Sequence, residues 1–316
     1  MTIGPDAVLV MGEALIDLVP APGPGESADT TDLRRAQPGG APANVAVALA
    51  RLGTAVSFAG ALGGDGFART IEARLESAGV GLALTAHSAR PTALAVADPG
   101  KDSTGYHFHL QDTATFRLPE RTAEVSRFGA VYVGGLAAVV PPAAEAVAAT
   151  ARAAAGRTLL VVDPNVRRDR TLGPDHGHAR LRELCALAHV VKASDEDLAG
   201  LWPGTDPDTT CRRLAAEGRL VVLTRGARGS TAYPASGPPL SVSAAPVEVV
   251  NTIGAGDAFT AAVLSRLTEL GAHRADAAAA LAPEQVREML TFAARVAASV
   301  CGHAGTEPSL RLGAQG

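Results

Sequence analysis

Residues 251–263 read NTIGAGDAFTAAV, a glycine-rich turn that leads directly into an apolar helical pattern. A strand is expected just before it, over 247–250. The small residues of the turn would leave successive backbone N–H groups open at the positive end of the helix, where an oxyanion can bind. These residues are Gly254, Ala255 and Gly256. Asp257 follows inside the same turn, and its carboxylate could accept a proton from an attacking hydroxyl. The simpler alternative is an ordinary helix start, in which Asp257 only stabilises the first turn.

Two other nucleotide-binding patterns do not fit this turn. A dinucleotide fingerprint, GxGxxG, would require glycine where Phe259 stands. A P-loop would require GxxxxGK[ST], which the sequence does not contain. If the turn binds phosphate, backbone N–H groups have to do so without a P-loop lysine.

A second glycine-rich stretch lies far upstream, where residues 39–44 read GGAPAN and open an alanine-rich helix. Asn44 falls on the side of this helix that the apolar spacing turns inward. A buried amide needs hydrogen-bond partners, and the hydroxyls of a sugar would provide them. The alternative is an asparagine that bonds to neighbouring backbone.

Around these two stretches, short apolar runs alternate with longer helical patterns. The predicted strands are 7–11, 55–61, 130–133, 158–162, 189–192 and 220–224. The predicted helices are 41–52, 67–78, 142–155, 179–187 and 207–217. This alternation predicts an α/β fold with a mostly parallel sheet between layers of helices.

Two stretches depart from this alternation and predict a small β lid inserted into a single domain of residues 1–316. Residues 13–35 begin as a strand and become a loop rich in proline and glycine. Residues 90–116 contain two strand-like runs, 92–97 and 105–110, around the turn Asp98-Pro-Gly-Lys101. Because no helix separates these runs, they are expected to form an antiparallel hairpin. His107 and His109 alternate on it and would share one face, which suits contact with substrate or a second subunit better than zinc.

Composition excludes several classes of protein. Of 316 residues, 47% are hydrophobic and 19% are charged, and the formal net charge of −4 gives no sign of a nucleic-acid or membrane partner. The apolar runs are too short to span a bilayer. The three cysteines form no CxxC pair, which predicts a reducing, cytoplasmic location rather than disulfides.

The motifs, taken in order, resemble those of the ribokinase-like (PfkB) carbohydrate kinases over essentially the whole chain. The matching segments are GEALIDLVP (12–20), GGAPANVAVALARLG (39–53), DPNVR (163–167), KASDED (192–197), TRGARG (224–229), GAGD (254–257) and AGTEP (304–308). The residues in several of these segments are most similar to those of the fructokinase and 2-keto-3-deoxygluconate kinase branch of the family. The resemblance implies ATP-dependent phosphorylation of a sugar hydroxyl, with ATP and Mg²⁺ bound.

The resemblance also implies a role for each matching residue. Asp257 would be the catalytic base behind an anion hole of Gly254, Ala255 and Gly256. The residues expected to hold the sugar are Asp17, Gly39, Gly40, Asn44 and Arg167. Those expected near the ATP phosphates are Lys192, Thr224 and Gly226. Asp197 or Glu196 would organise Mg²⁺, although an acidic first turn capped by Ser194 explains the same pattern.

One departure from the family pattern concerns a monovalent cation. The acidic residue that usually opens the GAGD segment, and that helps hold an activating cation in relatives, is replaced by Asn251. This departure predicts weak potassium activation at most.

Fructose is the expected sugar, with 2-keto-3-deoxygluconate, ribose and a nucleoside as rivals. A sugar- or nucleotide-binding sensor without turnover and a hydride-transferring enzyme are the alternatives of other classes. Exposed edges of the lid predict a homodimer.

Overall fold

The computed structural model describes residues 4, 6–21, 27, 31–99, 104–167, 176–303 and 305–308. Its strands are β1 (Val8–Met11), β2 (Leu15–Pro20), β3 (Arg34–Gly39), β4 (Val56–Ala59), β5 (Ala61–Leu62), β6 (Ala86–His87), β7 (Leu94–Pro99), β8 (Thr104–His109), β9 (Ala130–Gly134), β10 (Leu159–Asp163), β11 (Val190–Ser194), β12 (Leu220–Thr224), β13 (Ser230–Tyr233) and β14 (Leu240–Val242). Its helices are α1 (Ala41–Arg51), α2 (Gly66–Ala78), α3 (Ala143–Ala155), α4 (His178–Leu187), α5 (Asp195–Leu201), α6 (Pro207–Ala216), α7 (Ala255–Glu269), α8 (Ala275–Ala279) and α9 (Pro283–Cys301).

The main sheet has eight strands in the order β14-β13-β12-β11-β10-β9-β1-β4. The strands from β12 to β4 run parallel, and β13 and β14 continue the sheet as an antiparallel edge. The predicted α/β fold with a mostly parallel sheet is confirmed. The runs predicted as strands and helices between 7 and 224 form these elements with small shifts at their ends, with one exception. The predicted strand at 55–61 is divided at Gly60 into β4, which belongs to the main sheet, and β5, which pairs with β6 in a separate two-stranded sheet.

The two faces of this sheet pack against different helices, because successive side chains of a strand point to opposite faces. Val8 and Val10 of β1 belong to a core shared with α1, α7 and α9. Leu9 and Met11 belong to the other core, which is shared with α3, α4, α5 and α6. Burial on both faces explains why these strands are almost uniformly apolar.

A separate four-stranded sheet has the order β3-β2-β7-β8 and is built from the two stretches that depart from the βα alternation. β2 pairs antiparallel with β3 and parallel with β7, and β7 forms the hairpin with β8. Strand β3 was not predicted, because its exposed arginines and its proline carry no strand pattern; hydrogen bonds with β2 hold it in place. In the predicted turn between β7 and β8, Gly100 and Lys101 lie outside the described residues.

The predicted strand at 247–250 is wrong. This segment is irregular, and Val249 and Val250 are both 61% exposed. The Val250 N–H bonds to the carbonyl oxygen of Cys301 at 2.8 Å, at the end of α9, rather than to a strand. A valine-rich run without a neighbouring strand to pair with has no reason to become a sheet strand. No helix in the described ranges is long and apolar enough to cross a membrane.

Candidate active site

The candidate site lies at the carboxyl edge of the parallel strands, where the chain leaves each strand for a loop or helix. β1 leads to Glu13, β10 to Arg167 and β12 to Thr224. Open α/β sheets bind their ligands at this edge, because the loops and helix N-termini meet there. Asp257 and Asn44, which are 213 residues apart in the chain, are in direct contact at this edge.

The glycine-rich turn is the N-terminus of α7. Gly254 is the N-cap, with φ 82°, a left-handed backbone that suits glycine. The Ala255 N–H was predicted to be open to a ligand, and this prediction is wrong. The group already donates a hydrogen bond to the carbonyl oxygen of Thr252 at 3.2 Å. No acceptor in the described part of the chain bonds to the N–H of Gly256 or of Asp257. Gly256 is exposed, so an anion can approach these N–H groups closely.

Asp257, in the first turn of α7, is only 7% exposed. Burial raises the pKa of Asp257 to about 6. Three interactions oppose this rise: a hydrogen bond of 2.9 Å from the Asn44 amide nitrogen to Asp257 Oδ2, and the positive charges of Arg167 and Lys192. A carboxyl with a pKa near neutral is suited to take a proton and later to release it.

Asp17 is a second carboxyl group close to Asp257. Burial raises the pKa of Asp17 to about 6, Arg167 lowers it, and the charge of Asp257 raises it further. Gly39 lies beside it, and a Cβ at Gly39 would overlap with the Asp17 carboxylate. The next residue, Gly40, has φ 97° and caps α1, where a Cβ would meet the Glu13 carbonyl oxygen at 2.6 Å. The two glycines therefore leave room for Asp17 and for the turn into α1.

Arg167 is exposed and lies beyond the end of β10, just after Asn165 with its left-handed φ of 41°. Its charge lowers the pKa of both Asp17 and Asp257, so it is the cation that the two carboxylates share. An exposed cation beside two carboxyl groups of raised pKa can attract an anionic group into the site.

Lys192, which was expected near the ATP phosphates, forms a buried ion pair with Asp163. Its ammonium group is 6% exposed and donates to Asp163 Oδ2 at 3.0 Å, and Thr260 Oγ1 lies 3.0 Å from the same oxygen. Burial acts to lower the pKa of Lys192, but the charges of Asp163 and Asp197 and the hydrogen bond to Asp163 together more than offset it, so the pKa is raised. The ammonium group lies 3.5 Å from the position that a Cβ on Gly256 would take. The positive charge of Lys192 therefore lies close to the glycine-rich turn.

The two acidic residues predicted for Mg²⁺ are in different states. Asp197 forms a capping box with Ser194 at the start of α5, and its Oδ1 accepts the Val166 N–H at 2.7 Å. Its Oδ2 accepts the Ser194 N–H at 2.8 Å and the Ser194 hydroxyl at 2.7 Å. Both carboxylate oxygens of Asp197 accept hydrogen bonds from the protein, so its acidic side chain is explained by its role as a helix cap. Glu196 is exposed and remains accessible to a ligand.

Thr224 is the last residue of β12, where it pairs with Ser230 of β13, and Gly226 lies in the turn that joins the two strands. Thr224 Oγ1 is 3.4 Å from the carbonyl oxygen of Ala193. Gly226 is exposed with φ 54°, and a Cβ there would have no heavy atom within 4 Å. Arg225 is held away from this turn by two bonds of 2.8 Å to Asp208. The turn is therefore accessible.

Sequence reasoning missed three residues of this site. Glu13 is buried and accepts the N–H groups of Leu136 and Ala137 at 3.1 and 2.9 Å. Arg74, on α2, bonds to the Asn44 amide oxygen. Tyr106, on β8, is half-buried, and its pKa is raised by burial and by the nearby charge of Asp17, whereas His107 and His109 are exposed. The strand alternation at 105–109 could have identified Tyr106, but no local pattern marks Arg74.

The chain belongs to the pfkB family of carbohydrate kinases, whose family model matches residues 6–311. The enzyme is therefore a sugar kinase, as the ordered motifs predicted. Among curated proteins, it is 31% identical to probable fructokinase-6, chloroplastic, of Arabidopsis thaliana over 315 residues, which cover 96% of this chain and 79% of the relative.

Solved structures of fructokinases share its fold. The fructokinase of Xylella fastidiosa with bound ATP superposes with a TM-score of 0.84 at 28% identity, over 95% of this chain and 94% of the other. The fructokinase of Vibrio cholerae O395, in a form with fructose, ADP and calcium ion bound, gives a TM-score of 0.78 at 25% identity, over 97% and 95% of the two chains.

Proposed function

We propose that the sugar is fructose and that ATP is the phosphoryl donor. The observation that carries this proposal is the position of Asp257, a buried carboxyl group in the same turn as the open N–H groups of Gly256 and its own backbone. The charges of Asp17, Arg167 and Asp257 act on one another, which supports a shared site. The choice of fructose rests on the similarity to named fructokinases.

In the proposed reaction, Asp257 accepts the proton of a sugar hydroxyl as its oxygen attacks the γ-phosphorus. The N–H groups of Gly256 and Asp257 donate hydrogen bonds to the phosphoryl oxygens, and Arg167 offsets their negative charge. Asp17, Gly39, Gly40 and Asn44 orient the sugar. Thr224 and Gly226 line the approach of the nucleotide phosphates.

A Mg²⁺ ion fits this site only in part. No group of three histidine, cysteine or acidic side chains suited to a metal occurs among the described residues, and Asp197 is engaged as a cap. Mg²⁺ is normally held by one or two carboxylates together with substrate phosphates and water. Glu196 is then the residue that would hold it, through water, and the ion would supply positive charge to the phosphates.

Three further features belong to this proposal. The edges of the four-stranded sheet, β3 and β8, would join two chains into a homodimer. The three cysteines are free thiols, as expected of a cytoplasmic protein. Potassium activation would be weak at most, because Asn251 carries no charge and its Oδ1 already accepts the Ile253 N–H at 3.1 Å.

The test compares the purified wild-type chain with Asp257→Asn in a phosphotransfer assay over fructose, 2-keto-3-deoxygluconate, ribose and adenosine. Loss of a positioned base lowers turnover by about 10²- to 10⁴-fold. Sugar affinity, measured by calorimetry, should change little, because asparagine keeps an acceptor for Asn44. The matched control is Asp276→Asn, an exposed acid on α8.

Each result of this assay has a defined meaning. Phosphorylation of another sugar in preference to fructose would overturn the choice of substrate. Sugar binding without product in the wild type would indicate a sensor instead. A fall of less than tenfold in Asp257→Asn would remove the base assignment. Running the assay with and without Mg²⁺, and in potassium and in tetramethylammonium, tests the two cation proposals.

A further inference from the structure

The guanidinium group of Arg74 is fully bonded inside the protein. Its side chain, on α2, is 13% exposed. Nε donates to Glu307 Oε1 at 3.0 Å, and the two terminal nitrogens donate to the Pro38 carbonyl oxygen at 3.3 Å, to Thr306 Oγ1 at 3.0 Å and twice to Asn44 Oδ1 at 3.0 and 3.1 Å. A guanidinium has five N–H donors, and here each has an acceptor. The plane of the group is therefore held from every side.

This arrangement determines which way the Asn44 amide points. An arginine can only donate hydrogen bonds, so only the amide oxygen of Asn44 can face it. The amide nitrogen must then face the opposite way, where it donates to Asp257 Oδ2 at 2.9 Å. Without Arg74, either end of the amide could face Asp257. The end that bears oxygen would repel the ionised carboxylate.

The far side of Arg74 is held by the segment 305–308. Glu307 pairs with Arg74 and also with Arg51 on α1. Thr306 lies against the glycine-rich turn, where a Cβ on Gly254 would meet the Thr306 side chain at 2.9 Å. The same short segment thus supports both the turn and Arg74.

We propose that Arg74 is a positioning residue for the base Asp257, acting through Asn44, whose amide it holds with the nitrogen towards the carboxylate. This inference rests on the proposed function, in which Asp257 is the base. Among the described residues, the five N–H groups of Arg74 are taken up by Glu307, Pro38, Thr306 and Asn44.

The expected consequence is a change in the pKa of Asp257. Several charged and titratable groups face this carboxyl: Asp163 on β10, Arg167 beyond β10, Lys192 on β11, Asp17 on β2 and Tyr132 on β9. The charge of Arg74 also lowers the pKa of Asp17, and the Asn44→Ala background described below separates that influence from the orientation of the amide. The Asn44 hydrogen bond is the largest influence that lowers the pKa of Asp257 against burial. Losing a hydrogen bond to a charged group raises such a pKa by about one unit.

The experiment titrates Asp257 in the full chain by carboxyl carbon NMR, with the signal assigned from Asp257→Asn. In Arg74→Met the pKa of Asp257 should rise by about one unit, and the acid limb of the turnover profile should move with it. Arg74→Lys, whose ammonium group also only donates, should restore most of the wild-type profile. The matched control is Arg51→Met, which removes the other partner of Glu307 and leaves the Asn44 contact intact. It should titrate as the wild type does.

A double-mutant cycle separates orientation from charge. If Arg74 acts through the amide, Arg74→Met should have no further effect on the pKa of Asp257 in an Asn44→Ala background. A shift that persists there, or an equal shift in Arg51→Met, would overturn the proposal. If Arg74→Met does not fold, Arg74→Gln, which can present either end of its own amide, should still raise the pKa, and an unchanged pKa would count against the proposal.

Failure of the proposed function looks different. A pKa shift without phosphorylation of any sugar would overturn the kinase mechanism and keep the role of Arg74. If the wild type phosphorylates a sugar but Arg74→Met leaves the pKa of Asp257 unchanged, the kinase mechanism stands and the role of Arg74 is overturned.

Discussion

Asp257 combines two properties that oppose each other. Burial keeps water away from the proposed reaction and raises the pKa of the carboxyl to about 6. The same burial makes its ionised form unfavourable for folding, since the ordinary pKa of an aspartate in water is 3.8. Residues held in such positions are typical of functional sites, where activity is retained at a cost in stability.

We therefore expect Asp257→Asn to stabilise the fold at neutral pH. Because the pKa of Asp257 is raised in the folded state, wild-type stability is lost as pH rises through about 6. Asparagine never ionises, so the variant should gain about 1–3 kcal/mol in the free energy of unfolding at pH 7.5. Below pH 4 the gain should vanish, because aspartate is then protonated in both states. Urea unfolding at several pH values measures this.

The control for this measurement is again Asp276→Asn, an exposed acid whose loss should give no gain that depends on pH. If Asp257→Asn is less stable than the wild type at every pH, the carboxylate is needed to hold the start of α7.

At the scale of the element, the N-terminus of α7 depends on its two glycines for different reasons. Gly254 has a positive φ and lies against Thr306, so a side chain there would be strained and crowded. A Cβ on Gly256 would have only Lys192 Nζ within 4 Å, at 3.5 Å, and this glycine faces the open cleft. The first glycine serves the fold, and the second keeps the way to the N–H groups clear.

Two matched substitutions should separate these roles. Gly254→Ala should lower the free energy of unfolding by about 1–2 kcal/mol, the cost of a left-handed backbone, before any crowding is added. Gly256→Val should leave stability near that of the wild type and lower turnover by about 10²- to 10³-fold, because its side chain blocks the proposed phosphate position. Thermal unfolding and turnover, measured on both variants, test this.

Near-normal turnover in Gly256→Val would show that phosphate does not bind at this turn. An unfolded Gly256→Val protein would show that the open space beside Lys192 is needed by the fold.

At the scale of the whole molecule, we propose that the four-stranded sheet forms the contact between two chains. Its outer strands β3 and β8 each have one neighbouring strand in the sheet. Leu33, just before β3, is 57% exposed, and His107 and His109 are exposed on β8. Unpaired edges tend to be covered by another chain, which supports the proposed homodimer.

We expect the chain to sediment as a dimer and the double variant His107→Glu/His109→Glu to shift it towards the monomer, because like charges would meet across the contact. The control is Arg152→Glu, an exposed position on α3, which should stay dimeric. Analytical ultracentrifugation distinguishes these states. A wild-type monomer, or a double variant as dimeric as the control, would overturn the proposed contact.

Much of this protein follows from local sequence patterns. The period of the apolar residues predicted α1 and α2 almost to their ends, and uniformly apolar runs predicted the parallel strands, because each pattern reports which faces of an element are buried. The glycine-rich turn and Asp257 were also visible, since a helix N-terminus is a local feature. The order of the motifs along the chain predicted the pfkB family.

Only the tertiary structure decided how these parts act on one another. The contact of Asn44 with Asp257, and that of Arg74 with Asn44 and Glu307, join residues far apart in the chain, so no local pattern marks them. Whether 247–250 became a strand depended on a neighbouring strand, and the state of Asp197 depended on the Val166 N–H that reaches it from another loop. The hydrogen bonds, the burial and the pKa values of these residues depend on neighbours from other helices, strands and loops. The sequence determines those neighbours only once the chain has folded.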